Sequence, residues 1–98
     1  MIKHIVMWRL KEKDPKNANA RMIKQKLEAL RDRIPGMLKI EVGIDFSCTS
    51  DSSDVVLYSE FESRDALDLY QSHPEHEAIK PLVMNLRIER RVVDYEAN

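Results

Sequence analysis

The sequence predicts an α+β fold of the ferredoxin-like type, with strands and helices in the order β-α-β-β-α-β. Three observations predict it. Three segments show the two-residue alternation of strands, and residues 88–95 form a fourth strand-like segment with Val92 and Val93 at its centre. Two segments repeat apolar residues every three or four positions, as on one face of a helix. Right-handed crossovers then place both helices on the same face of one four-stranded antiparallel sheet.

The first half of the chain predicts a strand, a long helix and a second strand. Residues 2–10 alternate in the strand pattern and include β-branched and aromatic side chains. Asp14-Pro15 is a typical helix start, because Asp caps the first turn and Pro suits the first helical position. Apolar residues then recur on one helical face until Pro35-Gly36, so we expect a helix over residues 15–33. Residues 38–46 show the clearest strand alternation in the chain.

The second half predicts two strands, the first of which follows an exposed loop. Residues 47–54 are small and polar, which is typical of a loop between antiparallel strands. Alternation over residues 55–61 predicts the third strand, and a last strand is expected over residues 88–95. The alternation also predicts which side chains of the first and third strands face the helices: Ile2, His4, Val6, Trp8, Leu10, Val55, Leu57, Ser59 and Phe61.

Between the third and fourth strands the sequence predicts a broken helix. Ser63 is a good N-cap for a helix that runs to Ser72. His73-Pro74 interrupts this helix, because the residue before a proline avoids the helical region. Pro74 can begin another turn, so we expect a short helix over residues 75–80 that ends near Pro81.

Composition and charge narrow the classes of protein. The 98 residues predict one domain over 1–98. A net charge of -1 disfavours a protein that binds nucleic acid or anionic lipid through bulk charge. One cysteine excludes an internal disulfide framework. The apolar runs are all shorter than the ~20 residues of a membrane helix, and the N-terminus enters a strand without a signal peptide, so we expect a cytoplasmic protein.

The face of the sheet away from the helices predicts self-association. It carries Ile5, Met7, Val56, Tyr58 and Val93, with charged residues among them. A bare face this apolar is unusual on a monomer, and a second copy related by two-fold symmetry covers it on both partners at once. We therefore expect a homodimer whose two sheets enclose a barrel-like core. The alternative is a monomer with a solvated outer face.

Five segments resemble the stress-responsive A/B barrel family, whose members are small dimeric α+β barrel proteins. The resemblance covers essentially the whole chain, and the segment from Tyr70 to His76 is its most specific part. It implies the fold and the dimer that the alternation predicts. The segments are Lys3-His4-Ile5-Val6, Ile34-Pro35-Gly36, Phe61-Glu62-Ser63, Tyr70-Gln71-Ser72-His73-Pro74-Glu75-His76 and Val93-Asp94-Tyr95.

The resemblance also implies roles for three residues. Plant polyketide cyclases of this family use a Tyr and a His for acid-base catalysis in a pocket between helices and sheet, and these roles would fall on Tyr70 and His76. The strand histidine that lines the same pocket would be His4. The sequence differs from the cyclases at Val55, which replaces a polar pocket residue, and on the first helix, where aliphatic residues replace aromatic walls. The resemblance therefore does not predict the cyclase substrate.

These expectations define a candidate site on the helix side of the sheet. A neutral imidazole exchanges protons near pH 7, and a nearby phenol can donate a hydrogen bond to a developing oxyanion. We expect His76 and Tyr70 to be the catalytic pair if the protein is an enzyme. The residues expected to contact a ligand are His4, Val6, Trp8, Ile23, Leu27, Leu57, Phe61 and His73.

Each polar candidate also has a structural interpretation. His4 can be a buried histidine bonded to backbone, and Tyr70 can be a core residue. His73 can cap the short helix. His73 and His76 are three residues apart, as metal ligands on one helical face can be, but Pro74 separates them and a catalytic zinc needs a third protein ligand. We therefore expect no metal and no cofactor.

Three functions are consistent with the sequence. The first is a homodimer that binds a small, largely apolar molecule between sheet and helices. The second is a cofactor-free lyase, cyclase or isomerase that acts on a polyketide-like or other carbonyl compound, with His76 as base and Tyr70 as its partner. The third is a structural stress protein without a ligand. The sequence leaves open whether Arg87 and Arg90 enter the mouth of the pocket or face solvent.

Overall fold

One antiparallel sheet of four strands, in the order β2-β3-β1-β4, forms the centre of the molecule. The computed structural model describes residues 1–11 and 17–98. It confirms the predicted α+β ferredoxin-like fold. In chain order the elements are β1 (Ile2–Leu10), α1 (Ala18–Glu28), β2 (Met37–Ile44), β3 (Val55–Phe61), α2 (Arg64–Ser72), α3 (Pro74–Glu77), α4 (Lys80–Leu86) and β4 (Arg87–Glu96).

The register of β1 determines which side chains meet beneath the helices. Val6 lies opposite Leu57 on β3 and opposite Val92 on β4. Burial alternates along β1 and along β3, and the buried sets are those that the sequence alternation assigned to the helix side. These side chains pack with apolar residues of α1, α2 and α4 in one core.

Helix α1 is shorter than predicted. Its α-helical part ends at Glu28 rather than near residue 33, and the Asp14-Pro15 start lies outside the described residues. After Glu28 the backbone continues in tighter turns, with Leu30 N–H donating to the Leu27 carbonyl. Leu30 and Ile34 remain buried, so the apolar spacing extends beyond the helix proper.

The second half contains a helix that the sequence analysis did not predict. The short helix expected over residues 75–80 is α3, which spans Pro74–Glu77, and a separate helix α4 follows at Lys80–Leu86. Pro81 was expected to end a helix, but it lies in the first turn of α4. A proline is tolerated there because the first N–H groups of a helix have no partner within the helix.

The second face of the sheet is open to solvent in the single chain. Its side chains include Ile5, Met7, Tyr58 and Val93, of which Met7 is 40% and Val93 is 50% exposed. Among the described helices, none has the length and apolar character needed to cross a membrane.

Gly36 allows the turn before β2 to approach α2 closely. Its φ of +80° lies in the left-handed region, which residues with a side chain rarely adopt. A methyl group at Gly36 would lie 2.6 Å from Cβ of Ala66, and Glu62 N–H donates to the Gly36 carbonyl at 2.9 Å. Glycine is therefore needed here both because φ is positive and because a side chain would clash with Ala66.

We expect Gly36→Ala to lower the free energy of unfolding by about 2–5 kcal/mol, because backbone strain and a steric clash add together. Gly43→Ala is the matched control, since its added methyl would meet only Cγ1 of Val56, at 3.1 Å, and no positive φ is involved. Urea denaturation of both variants measures the difference. Equal losses of stability would contradict this account of Gly36.

Candidate functional site

A cavity of about 280 Å³ lies between the sheet and the helices. Its walls come from strands β1, β3 and β4 and from helices α1, α2, α3 and α4, together with Ile79 between α3 and α4. The strand side is mostly apolar and buried, and the α4 and β4 side is more polar and more open. The lining residues are His4, Val6, Trp8, Leu27, Leu57, Gln71, His76, Ile79, Lys80, Val83, Met84, Arg87 and Arg90.

His4 lies on the wall of the cavity and is 2% exposed. Its Nδ1 contacts a carboxylate oxygen of Asp94, the residue opposite it on β4. A carboxylate only accepts hydrogen bonds, so Nδ1 is the donor, and the neutral ring keeps its lone pair on Nε2. No described residue forms a hydrogen bond with this Nε2.

His76 lies on the same cavity and presents a similar arrangement. Its Nδ1 is 3.3 Å from the backbone carbonyl of Gln71, which can only accept, so Nε2 again carries the lone pair. Burial lowers the pKa of His76 from its usual value of 6.5. The hydrogen bond to Gln71 acts to raise this pKa, and the nearby charge of Lys80 acts to lower it. His76 is therefore neutral at pH 7 and able to accept a proton.

The ring of Tyr70 packs against the imidazole of His76. Their rings stack with centroids 4.1 Å apart, and the Tyr70 ring also lies against His4 at 6.0 Å. Tyr70 is fully buried and does not line the cavity. Its hydroxyl has no hydrogen-bond partner among the described residues. Burial raises the pKa of Tyr70 far above its usual value, opposed in part by the charge of Arg90.

The structure places six of the predicted site residues on the cavity wall and four away from it. Those on the wall are His4, Val6, Trp8, Leu27, Leu57 and His76. Tyr70, Ile23 and Phe61 are fully buried in the core behind the wall. The fourth, His73, is the N-cap of α3.

His73 is engaged by the backbone rather than by the cavity. Its Nδ1 accepts a hydrogen bond from Glu75 N–H at 3.2 Å, which matches the structural interpretation of this histidine as a cap. In the part of the chain that the structure describes, no three His, Cys, Asp or Glu side chains come together as a metal site would require. His73 and His76 therefore have no third ligand in that part.

Sequence reasoning missed Asp94 and the α4 part of the wall. Asp94 becomes a neighbour of His4 only through the register of β1 with β4, which alternation alone does not determine. The lining residues Val83 and Met84 belong to the unpredicted helix α4. The sequence signal for α4 was Pro81, because a proline can lie in the first turn of a helix as well as just after a helix end.

The sequence profile of the stress-responsive A/B barrel domain matches residues 2–97. The chain belongs to this family. The comparison with curated proteins found no match to this stress-responsive A/B barrel protein.

Solved structures share the fold. A dimeric protein of unknown function with a ferredoxin-like fold from Bacteroides fragilis is 34% identical to this A/B barrel chain, with a TM-score of 0.86 over 98% of this chain and 95% of the other. A Dabb family protein from Mesorhizobium loti is 23% identical, with a TM-score of 0.75 over 99% and 96% of the two chains. A hydroxynitrile lyase from Passiflora edulis is 19% identical, with a TM-score of 0.80 over 99% and 93%.

We expect Tyr70→Phe to raise the free energy of unfolding by about 1 kcal/mol, because it removes a buried hydroxyl that no described residue satisfies. Tyr58→Phe is the contrasting control, since the Tyr58 hydroxyl donates to Glu60 at 2.6 Å, and loss of this hydrogen bond is expected to lower stability. Urea denaturation compares the two variants. A larger loss for Tyr70→Phe than for Tyr58→Phe would contradict this description of the buried phenol.

Proposed function

We propose that the protein is a homodimer that binds a small, largely apolar molecule in the cavity lined by His4, Trp8, His76 and Val83. The observation that carries this proposal is the cavity itself. Its volume of about 280 Å³ is close to the lower limit of about 300 Å³ that is typical of small-molecule sites. In a purely structural protein, side chains are expected to fill such a space.

The chemistry of the walls supports a ligand with an apolar body and few polar groups. Val6, Leu27 and Leu57 are each no more than 2% exposed and form the apolar side. His4 and His76 both line this space, and each neutral ring keeps its lone pair on Nε2. A ligand that places an apolar group against the sheet and a hydroxyl or enolisable carbon near the imidazoles fits this arrangement.

Dimerisation through the open sheet face is the second part of the proposal. The similar protein from Bacteroides fragilis is described as dimeric. Here the face away from the helices leaves Met7 and Val93 substantially exposed, together with a half-buried Tyr58. A two-fold symmetric contact removes this apolar surface from water on both copies at once.

Cofactor-free acid-base catalysis is the second candidate function, favoured by the contact between His4 and Asp94. A carboxylate that orients an imidazole also stabilises the imidazolium formed when Nε2 takes a proton. His76, neutral at pH 7, is the other base on the wall. Tyr70 stacks on His76 instead of presenting its hydroxyl to the cavity, so in this scheme it is a positioning residue.

Binding can be followed through Trp8, the only tryptophan of the chain, because it lines the cavity. We expect octan-1-ol to change the emission of Trp8 in a saturable manner. Val83→Phe fills part of the cavity with a larger side chain, so it is expected to weaken binding at least about tenfold, roughly 1.4 kcal/mol.

Leu86→Phe is the matched control for this experiment. It enlarges a half-buried side chain of the same helix that does not line the cavity, so octan-1-ol should bind this variant as it binds the original protein. Circular dichroism confirms that both variants are folded. Equal affinity in folded Val83→Phe and Leu86→Phe, or no saturable change of the Trp8 emission with any eight-carbon probe, neutral or charged, would refute the cavity as the binding site.

A further inference from the structure

Among the residues that the structure describes, the titratable side chains on the cavity wall are all basic. They are His4, His76, Lys80, Arg87 and Arg90, and none of the described Asp or Glu residues lines the cavity. A ligand that were apolar throughout would gain nothing from these charges. The basic side chains therefore constrain the charge of the ligand, and the apolar walls constrain the rest of its structure.

In the described part of the chain, the carboxylates of α3 and β4 nearest the cavity are already engaged. Asp94 contacts His4, and Glu77 binds Lys80 at 2.6 Å. Glu75 pairs with Arg33. On β4, Glu89 pairs with Arg9 and Arg91. The Lys80 ammonium is therefore already engaged, because it pairs with Glu77 and also donates to the Gln71 carbonyl.

Arg87 and Arg90 are different, because neither guanidinium has an ion pair or a hydrogen bond with any residue that the structure describes. Arg87 is half-buried where α4 passes into β4, and Arg90 is exposed at the cavity edge. Positive charge also reaches the interior, since the charge of Arg90 acts to lower the pKa of the buried Tyr70 phenol. The two arginines therefore form the open, basic end of a cavity whose other end is apolar.

We propose that the molecule bound in this cavity carries a carboxylate, which Arg87 and Arg90 bind at the cavity mouth while its apolar body lies against Val6 and Leu57. This inference rests on the proposed small-molecule function and names the class of ligand. A guanidinium presents a planar fork of donors that matches the two oxygens of a carboxylate. Arg87 is half-buried, and partial burial strengthens such a contact compared with one in water.

The test compares three probes with the same eight-carbon chain, followed through Trp8 at pH 8: octanoate, octan-1-ol and octylamine. We expect octanoate to bind about tenfold more tightly than octan-1-ol, and octylamine to bind most weakly. Arg87→Gln and Arg90→Gln should each weaken octanoate binding about tenfold and leave octan-1-ol binding unchanged. High salt should weaken binding of octanoate alone.

Arg21→Gln is the control for net charge, because Arg21 is an exposed residue of α1 that does not line the cavity. It should leave both affinities unchanged. Octyl phosphate tests the other common anion, and tighter binding of octyl phosphate than of octanoate would overturn the assignment to a carboxylate.

The outcomes separate this inference from the proposed function. Equal binding of octanoate and octan-1-ol, or equal effects of Arg87→Gln and Arg90→Gln on both probes, would overturn the carboxylate while leaving the apolar cavity intact. Binding of neither probe would overturn both proposals.

Discussion

The antiparallel pairing of β1 with β4 is the constraint on which the candidate site depends. It brings Asp94 opposite His4, so a buried imidazole obtains a hydrogen-bond partner that fixes its tautomer. The same register places Arg90 opposite Trp8, at the edge of the cavity. A shift of one residue would turn both β4 side chains to the other face of the sheet and leave His4 without its acceptor.

The broken helical segment after α2 supplies the rest of the site. Pro74 and Pro81 each lie in the first turn of a short helix, so α3 and α4 meet the sheet as separate pieces. His76 comes from the first piece and Val83 from the second, and the cavity lies between them and the sheet. The buried Tyr70 ring, stacked on His76, holds that imidazole from behind. Apolar packing and a small number of polar contacts thus produce a cavity with two histidines on its wall.

The sequence predicted the fold more completely than the site. Two-residue alternation predicted β1, β2 and β3 and the buried sides of β1 and β3, because one face of this sheet packs against helices. It could not predict that Asp94 meets His4, since that contact depends on register. It also missed α4, because a proline can either begin or end a helix. Tyr70 and Phe61 were predicted near the pocket, and the structure places them one layer behind its wall.

The central claim, a homodimer with a ligand in the cavity of each subunit, is tested most directly by native mass spectrometry of the purified protein, repeated after denaturation. The account predicts a dimer mass with an added small organic molecule for each subunit, released on denaturation and identified by its own mass. A monomer would contradict the proposed use of the open sheet face. A dimer that carries no added mass, even after incubation with octanoate, would contradict the proposed function of the cavity.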